Sequence, residues 1–243
     1  MEQFLSGKIA VVTGGTRGIG FAIASALARA GASVTICGRE DADAQAAAQR
    51  IEKDSGVSVS GQAADVSQWA EVEKLFASVR QNSHGKLNIL INNAGVGVFK
   101  PVAELTPEEW HRVLDLNLTG VFYCCRAALP LLKAAGDGYV FNISSLAGKN
   151  AFAGGAAYNA SKFGLNGFTE AMMLDHRHDN IRVTSIMPGS VDTDFGSVPE
   201  QSRKSGQWKI QSEDIAEVIL SLLRIPARTL VSRVEMRPSK PPR

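Results

Sequence analysis

The chain has 243 residues, 44% apolar and 21% charged, and its 26 basic and 24 acidic residues leave a net charge of +2. This is an ordinary globular composition, long enough to bury a core without disulfide or metal staples. So small and dispersed a charge excludes a nucleic-acid surface. No unbroken apolar run reaches the roughly 18 residues of a bilayer span, and the start at Met1 lacks the basic-then-apolar pattern of a secretory leader. Neither a nucleic-acid nor a membrane partner is expected, and residence is expected to be cytoplasmic.

Short β-branched runs alternate with longer amphipathic stretches along the whole chain. The run Ile9–Thr13 predicts a first strand and leads into a helix over Gly18–Ala30. A strand at Ser33–Cys37 and a helix at Ala42–Asp54 follow, then a strand at Val57–Ala64 and a helix at Gln68–Asn82. The pattern continues with strand Leu87–Asn92, one long helix Pro107–Ala135, strand Tyr139–Ile143 and helix Ala157–His178. Strand Ile181–Met187, helix Glu213–Leu223 and a weak strand near Leu230–Glu235 complete it. Such alternation defines an α/β fold: a Rossmann-like, doubly wound parallel sheet of about seven strands with helices on both faces. No linker divides the chain, so residues 1–243 read as one domain. Near-continuous apolar strands fit a sheet covered on both sides.

Helix starts are marked by Thr106-Pro107-Glu108-Glu109, a capping box with Pro at the first position, and by a cap at Ser212 followed by Glu213 and Asp214. Phe195–Gln211 and the Pro- and Lys-rich tail Arg237–Arg243 look irregular; composition leaves open whether the tail is disordered or packs on a neighbouring subunit. Cys37, Cys124 and Cys125 have no metal-site spacing and read as small buried hydrophobes, and His84, His111, His176 and His178 as surface residues. No metal site is expected.

Three segments carry chemistry. Thr13-Gly14-Gly15-Thr16-Arg17-Gly18-Ile19-Gly20 turns the first strand into the first helix. Its glycines let backbone N–H groups approach a pyrophosphate, although their spacing is not the standard dinucleotide fingerprint. After the second strand stands Arg39, where an acid would bind a ribose 2′-hydroxyl and an Arg suits a 2′-phosphate; Arg17 adds a second guanidinium. Glu40 and Asp41 suit the start of the next helix. NADPH/NADP+ is therefore preferred over NADH. Finally, Tyr158 and Lys162 lie four apart on one helix face, thirteen residues beyond Ser145.

In this order the motifs resemble the short-chain dehydrogenase/reductase family, in the single-domain type that includes the 3-oxoacyl-[acyl-carrier-protein] reductases. The likeness covers nearly the whole chain. It matches Gly14, Thr16, Arg17, Gly18, Ile19 and Gly20 to the family's glycine motif, and Asp65 and Val66 to the pair that holds adenine. Asn92, Ala94 and Gly95 match the segment that steadies the sheet and lines the cofactor, and Pro188, Gly189, Val191 and Thr193 the one that meets the carboxamide. Asn117, Ser145, Tyr158 and Lys162 match the catalytic set. Ser144 competes with Ser145, but the interval to Tyr158 favours Ser145.

The resemblance implies an oxidoreductase that reversibly reduces a ketone or aldehyde. Tyr158 would pass the proton, Ser145 would hold the carbonyl oxygen, Lys162 would bind the nicotinamide ribose and Asn117 would position a relay water. A tyrosine acting as base needs a pKa about 3 units below its usual value near 10, worth about 4 kcal/mol. A lysine about 5 Å away supplies about 3 kcal/mol at an effective dielectric near 20, so Lys162 is expected to lower the phenol. The alternative is a catalytically weak NADPH-binding sensor or scaffold. Specificity is expected from Val96–Phe99, Ala147–Phe152 and Phe195–Gln211, the last carrying Glu200, Arg203, Lys204, Trp208 and Lys209. A 3-oxoacyl thioester stands among sugars, steroids, diketones and xenobiotic ketones as a small-molecule carbonyl substrate. The family also implies a homo-oligomer, a tetramer or dimer, built on Pro107–Ala135 and Ala157–His178.

Overall fold

In the computed structural model, which describes residues 3–195 and 208–241, seven parallel strands form one sheet in the order β3-β2-β1-β4-β5-β6-β7. The strands are β1 (Ile9–Thr13), β2 (Ser33–Gly38), β3 (Val59–Ala63), β4 (Ile89–Asn92), β5 (Gly138–Ile143), β6 (Ile181–Pro188) and β7 (Arg233–Met236). The helices are α1 (Gly18–Arg29), α2 (Asp41–Ser55), α3 (Trp69–Asn82), α4 (Pro107–Leu114), α5 (Gly120–Ala135), α6 (Ala156–His176) and α7 (Ser212–Arg224). The order reverses between β1 and β4, so their C-terminal ends flank a crevice of the kind in which doubly wound sheets bind ligands.

The period-2 direction of strand side chains divides the core. Ala10, Val12, Val34, Ile36, Ile89, Ile91 and Phe141 face α1, α2 and α7, whereas Val11, Leu90, Val140 and Val183 face α3, α5 and α6. Helix α1 buries the small residues Gly20, Ala22, Ala24, Ser25, Ala26 and Ala28 together with Ile23 and Leu27. Pro107–Ala135 is long and apolar enough to cross a membrane by composition, yet Cys124, Cys125, Ala128, Leu131 and Leu132 pack into the second core cluster.

Several boundaries differ from expectation. The third strand is shorter at both ends, because its ladder runs only where Val34–Gly38 is there to pair with it, and Val57 is held in a turn by the Ser55 hydroxyl. The last strand starts at Arg233, where β6 offers Ser185 as partner. The predicted helix Pro107–Ala135 runs unbroken, with one π turn, Asp115–Thr119, joining α4 to α5 inside it. The cap of α7 is Gln211 and not Ser212: Gln211 N–H donates to Asp214 Oδ2 at 2.8 Å in a capping box. The Thr106 capping box forms as expected, with Glu109 N–H donating to Thr106 Oγ1 and Thr106 N–H to Glu109 Oε2, both at 3.2 Å.

Candidate active site

Strand β1 ends in Thr13, whose hydroxyl accepts from Asn93 N–H at 3.0 Å and Ala94 N–H at 3.1 Å. Asn93 Nδ2 returns hydrogen bonds to the Thr13 and Gly14 carbonyls, both at 3.0 Å. The glycine turn is thereby sewn to the end of β4 across the crevice. Glycine is required twice over here: Gly14 has φ +63, and a β-carbon there would lie 2.9 Å from Ala94 Cα. One at Gly20 would strike the Gly14 carbonyl oxygen. Thr193 stands opposite Gly18, its Cγ2 3.6 Å from where a β-carbon would be, so the loop after β6 reaches across the turn. That loop is held in place by the pairing of Val191 with Ile210 and by Gly189 N–H donating to Met236 O at 2.8 Å.

At the end of β2, Gly38 packs flat against Thr16; a β-carbon would lie 2.6 Å from Thr16 Cγ2. Arg39 and Arg17 are both exposed. Beside them a cleft of about 270 Å³ is lined by Thr16, Arg17, Asp43 and Arg50. Glu40 and Asp41 do open α2, and the Asp41 carboxylate is committed to Ala63 N–H and the Gln45 amide. Asp65 folds its carboxylate onto Ser67, taking N–H at 3.0 Å and the hydroxyl at 2.7 Å, which fixes the turn carrying Val66. Cys37, Cys124 and Cys125 are buried free thiols, and burial pushes Cys37 and Cys125 up to about 12. His176 is half-buried rather than a surface residue, because it hydrogen-bonds Asp179 at 2.8 Å.

Ser145, Tyr158 and Lys162 converge at the ends of β5 and β6. Ser145 Oγ accepts from Ala147 N–H at 3.1 Å, donates to Pro188 O at 3.4 Å and hydrogen-bonds Tyr158. Ser144 is turned away, its hydroxyl buried with no hydrogen-bond partner. Geometry therefore chooses Ser145. Tyr158 and Lys162 lie one turn apart on α6, with Lys162 Nζ 5.7 Å from the Tyr158 ring centroid and donating to Ile143 O at 2.9 Å. Burial pushes the phenol of Tyr158 up, against the opposing pull of its Ser145 hydrogen bond, and pulls Lys162 down to about 8. The expected lowering of the phenol is thus reversed in this structure, because desolvation outweighs every other influence on the ring.

Asn117 sits in the π turn, fully buried. Its Oδ1 accepts from Val96 N–H at 2.8 Å, and its Nδ2 donates to Val96 O at 2.9 Å and Ser161 Oγ at 3.1 Å. Both amide hydrogens are committed to protein, so the side chain anchors the chain after Gly95. Asn92 does not turn toward the crevice with its neighbours; its Nδ2 donates to Asn142 Oδ1 at 2.8 Å and Cys125 Sγ at 3.2 Å inside the sheet.

Residues that motif reading passed over also shape the site. Asn159 is one, donating to Ala147 O at 2.6 Å and so tying the 147–152 loop to α6. Phe99 and Phe195 pack on Tyr158 with ring centroids 5.5 and 5.7 Å away. The only signal in the sequence was a Phe in each predicted specificity segment. Glu200, Arg203 and Lys204 lie outside the described residues.

Comparison with known proteins agrees with this geometry. A family model described as short chain dehydrogenase matches residues 8–203. A 3alpha-hydroxysteroid dehydrogenase of Mediterraneibacter gnavus is 37% identical over 91% of this chain and 92% of its own. A tropinone reductase homolog of Arabidopsis thaliana is 41% identical over 78% of this chain and 71% of its own. Among solved structures, a metagenomic short-chain oxidoreductase in complex with NADP superposes with a TM-score of 0.84 at 36% identity, covering 98% of this chain and 99% of that one. The chain belongs to the short-chain dehydrogenase/reductase family. It is an oxidoreductase acting between hydroxyl and carbonyl groups.

Proposed function

We propose that the protein is an NADPH-dependent carbonyl reductase that reversibly converts a ketone or aldehyde to the alcohol. The observation that carries this reading is the convergence of Ser145, Tyr158 and Lys162 beside the glycine turn. The residues fit a dinucleotide. The turn at Gly14 and Gly20 has no room for a β-carbon and leads into the N-terminus of α1, and Lys162 is a buried cation near Gly95. Arg17, which lines the cleft, and Arg39, after β2, are both exposed, the feature that favours a 2′-phosphate. In support, the solved relative from the metagenome was determined with NADP.

When bound, the dinucleotide supplies the hydride, or takes it up in the reverse direction. Ser145 holds the carbonyl oxygen and Tyr158 donates its proton as charge develops there. The raised phenol is a neutral acid at pH 7, which suits reduction. Lys162 holds the ribose and keeps positive charge near the ring, and Asn117 is a positioning residue that fixes Val96. We propose further that a second copy of the chain covers the outer faces of α5 and α6, where Phe122, Phe163 and Leu174 are exposed.

The test is NADPH consumption with a panel of carbonyl compounds, for the wild type and Tyr158→Phe. The variant is expected to lose a factor of about 10²–10⁴ in kcat, with NADPH affinity within a few-fold by fluorescence titration. Retained turnover would refute the assignment; loss of NADPH binding in step with turnover would make Tyr158 structural.

A further inference from the structure

Around the proton donor the structure places three phenylalanines from three separate segments: Phe99 after β4, Phe152 before α6 and Phe195 after β6. They are 44%, 47% and 42% exposed, while Tyr158 beneath them is 9% exposed. Phe99 meets Tyr158 edge-on at an interplanar angle of 79°, and Phe152 extends the cluster 5.8 Å beyond Phe99. Phe99 and Phe195 converge over Gly97, where a β-carbon would lie 2.7 and 3.0 Å from the two rings. Gly97 therefore leaves the space that lets both rings reach the phenol. Exposed aromatic surface gathered at one point costs free energy unless a ligand covers it.

The charges around this wall point the same way. Lys100, next to Phe99, is paired with Glu109 at 2.6 Å, and Lys149, on the loop before Phe152, with Glu235 at 2.6 Å. Lys209 is paired with Asp192 at 3.7 Å. Among the described residues, each lysine beside the wall is paired with a carboxylate. The Lys162 ammonium donates to Ile143 O, below the rings.

We infer that Phe99, Phe152 and Phe195 form the substrate-recognition wall, and that the substrate is an uncharged carbonyl compound bearing an apolar ring next to its carbonyl carbon. The ring stacks among the phenylalanines with the carbonyl oxygen toward Tyr158 and Ser145. This rests on the carbonyl-reductase reading and narrows it to neutral ketones with an apolar ring.

The experiment compares kcat/KM for acetophenone, β-tetralone, butanone and p-acetylbenzoate with NADPH, and titrates NADPH separately by fluorescence. The wild type is expected to prefer the two ring ketones to butanone, and acetophenone to its carboxylated analogue. Phe152→Ala is the informative variant, since that ring is half exposed and touches Phe99 rather than Tyr158. It should lower the acetophenone-to-butanone ratio about tenfold, through KM, with Phe152→Tyr restoring it. Phe152→Lys should raise the p-acetylbenzoate-to-acetophenone ratio. A wild type that favours p-acetylbenzoate, or a ratio unmoved by Phe152→Ala, overturns the inference while leaving the reductase reading intact. Normal NADPH binding with no turnover of any of the four overturns both.

Discussion

At the residue scale the site turns on two buried titratable groups that burial shifts in opposite directions. Desolvation penalises whichever form is charged, so it raises the Tyr158 phenol and lowers Lys162 to about 8. Reduction requires neutral Tyr158 and, by the role proposed for it, cationic Lys162. Its kcat/KM is therefore expected to stay level from pH 6 to 7 and to decline above pH about 8 as Lys162 loses its proton, which a pH–rate profile will show. Linkage has the opposite sign for stability. Between pH about 8 and 10.5 the unfolded chain binds the Lys162 proton that the folded chain has lost, so this residue makes stability rise with pH. Below pH 8 its buried charge costs about 3 kcal/mol. Lys162→Met should accordingly raise the melting temperature at pH 7 while impairing turnover, and the gain should shrink by pH 10. A variant less stable than wild type at pH 7 would contradict the charge penalty.

At the scale of elements, the helix predicted from periodicity over Pro107–Ala135 forms over that whole range, and what periodicity does not show is the π turn between α4 and α5 within it. The stretch Pro107–Ala135 keeps an apolar pattern throughout, and nothing in its composition marks the π turn at Asp115–Thr119. Within the turn, Asn117 meets both polar backbone groups of Val96 across the site, a contact between segments 21 residues apart. Replacing Asn117 with Leu would orphan those two buried groups at about 1–3 kcal/mol each. The expected result is a lower urea midpoint together with reduced kcat, and unchanged stability would show that Val96 finds other partners. The same logic explains Asn92 and Asn93, adjacent in one motif but divided by the alternation of strand side chains. One is drawn into the sheet toward Asn142, the other holds the glycine turn.

At the scale of the whole molecule, parallel winding brings Arg17 after β1 and Arg39 after β2 to one end of the sheet, on loops bordering the crevice. Arg39→Leu is expected to weaken NADPH binding about tenfold while leaving NADH within a few-fold, measured by fluorescence titration. Equal loss for both would rule out a 2′-phosphate role. Introducing Asp at position 38 is a poor way to ask this question, because Thr16 fills the space a side chain would need.

The sequence by itself determined the alternation of strands and helices, the glycine turn, the thiols as packing residues and the four-residue spacing of Tyr158 and Lys162. These are local properties, set by side-chain periodicity, backbone freedom at glycine and the helical repeat. Only the tertiary structure decided where Asn117 spends its hydrogen bonds and in which direction burial moves the phenol. It also gathered Phe99 and Phe195 against the ring of Tyr158, with Phe152 packed on Phe99. Desolvation and contact depend on what surrounds a group in space, and those neighbours come from strands far apart in the chain.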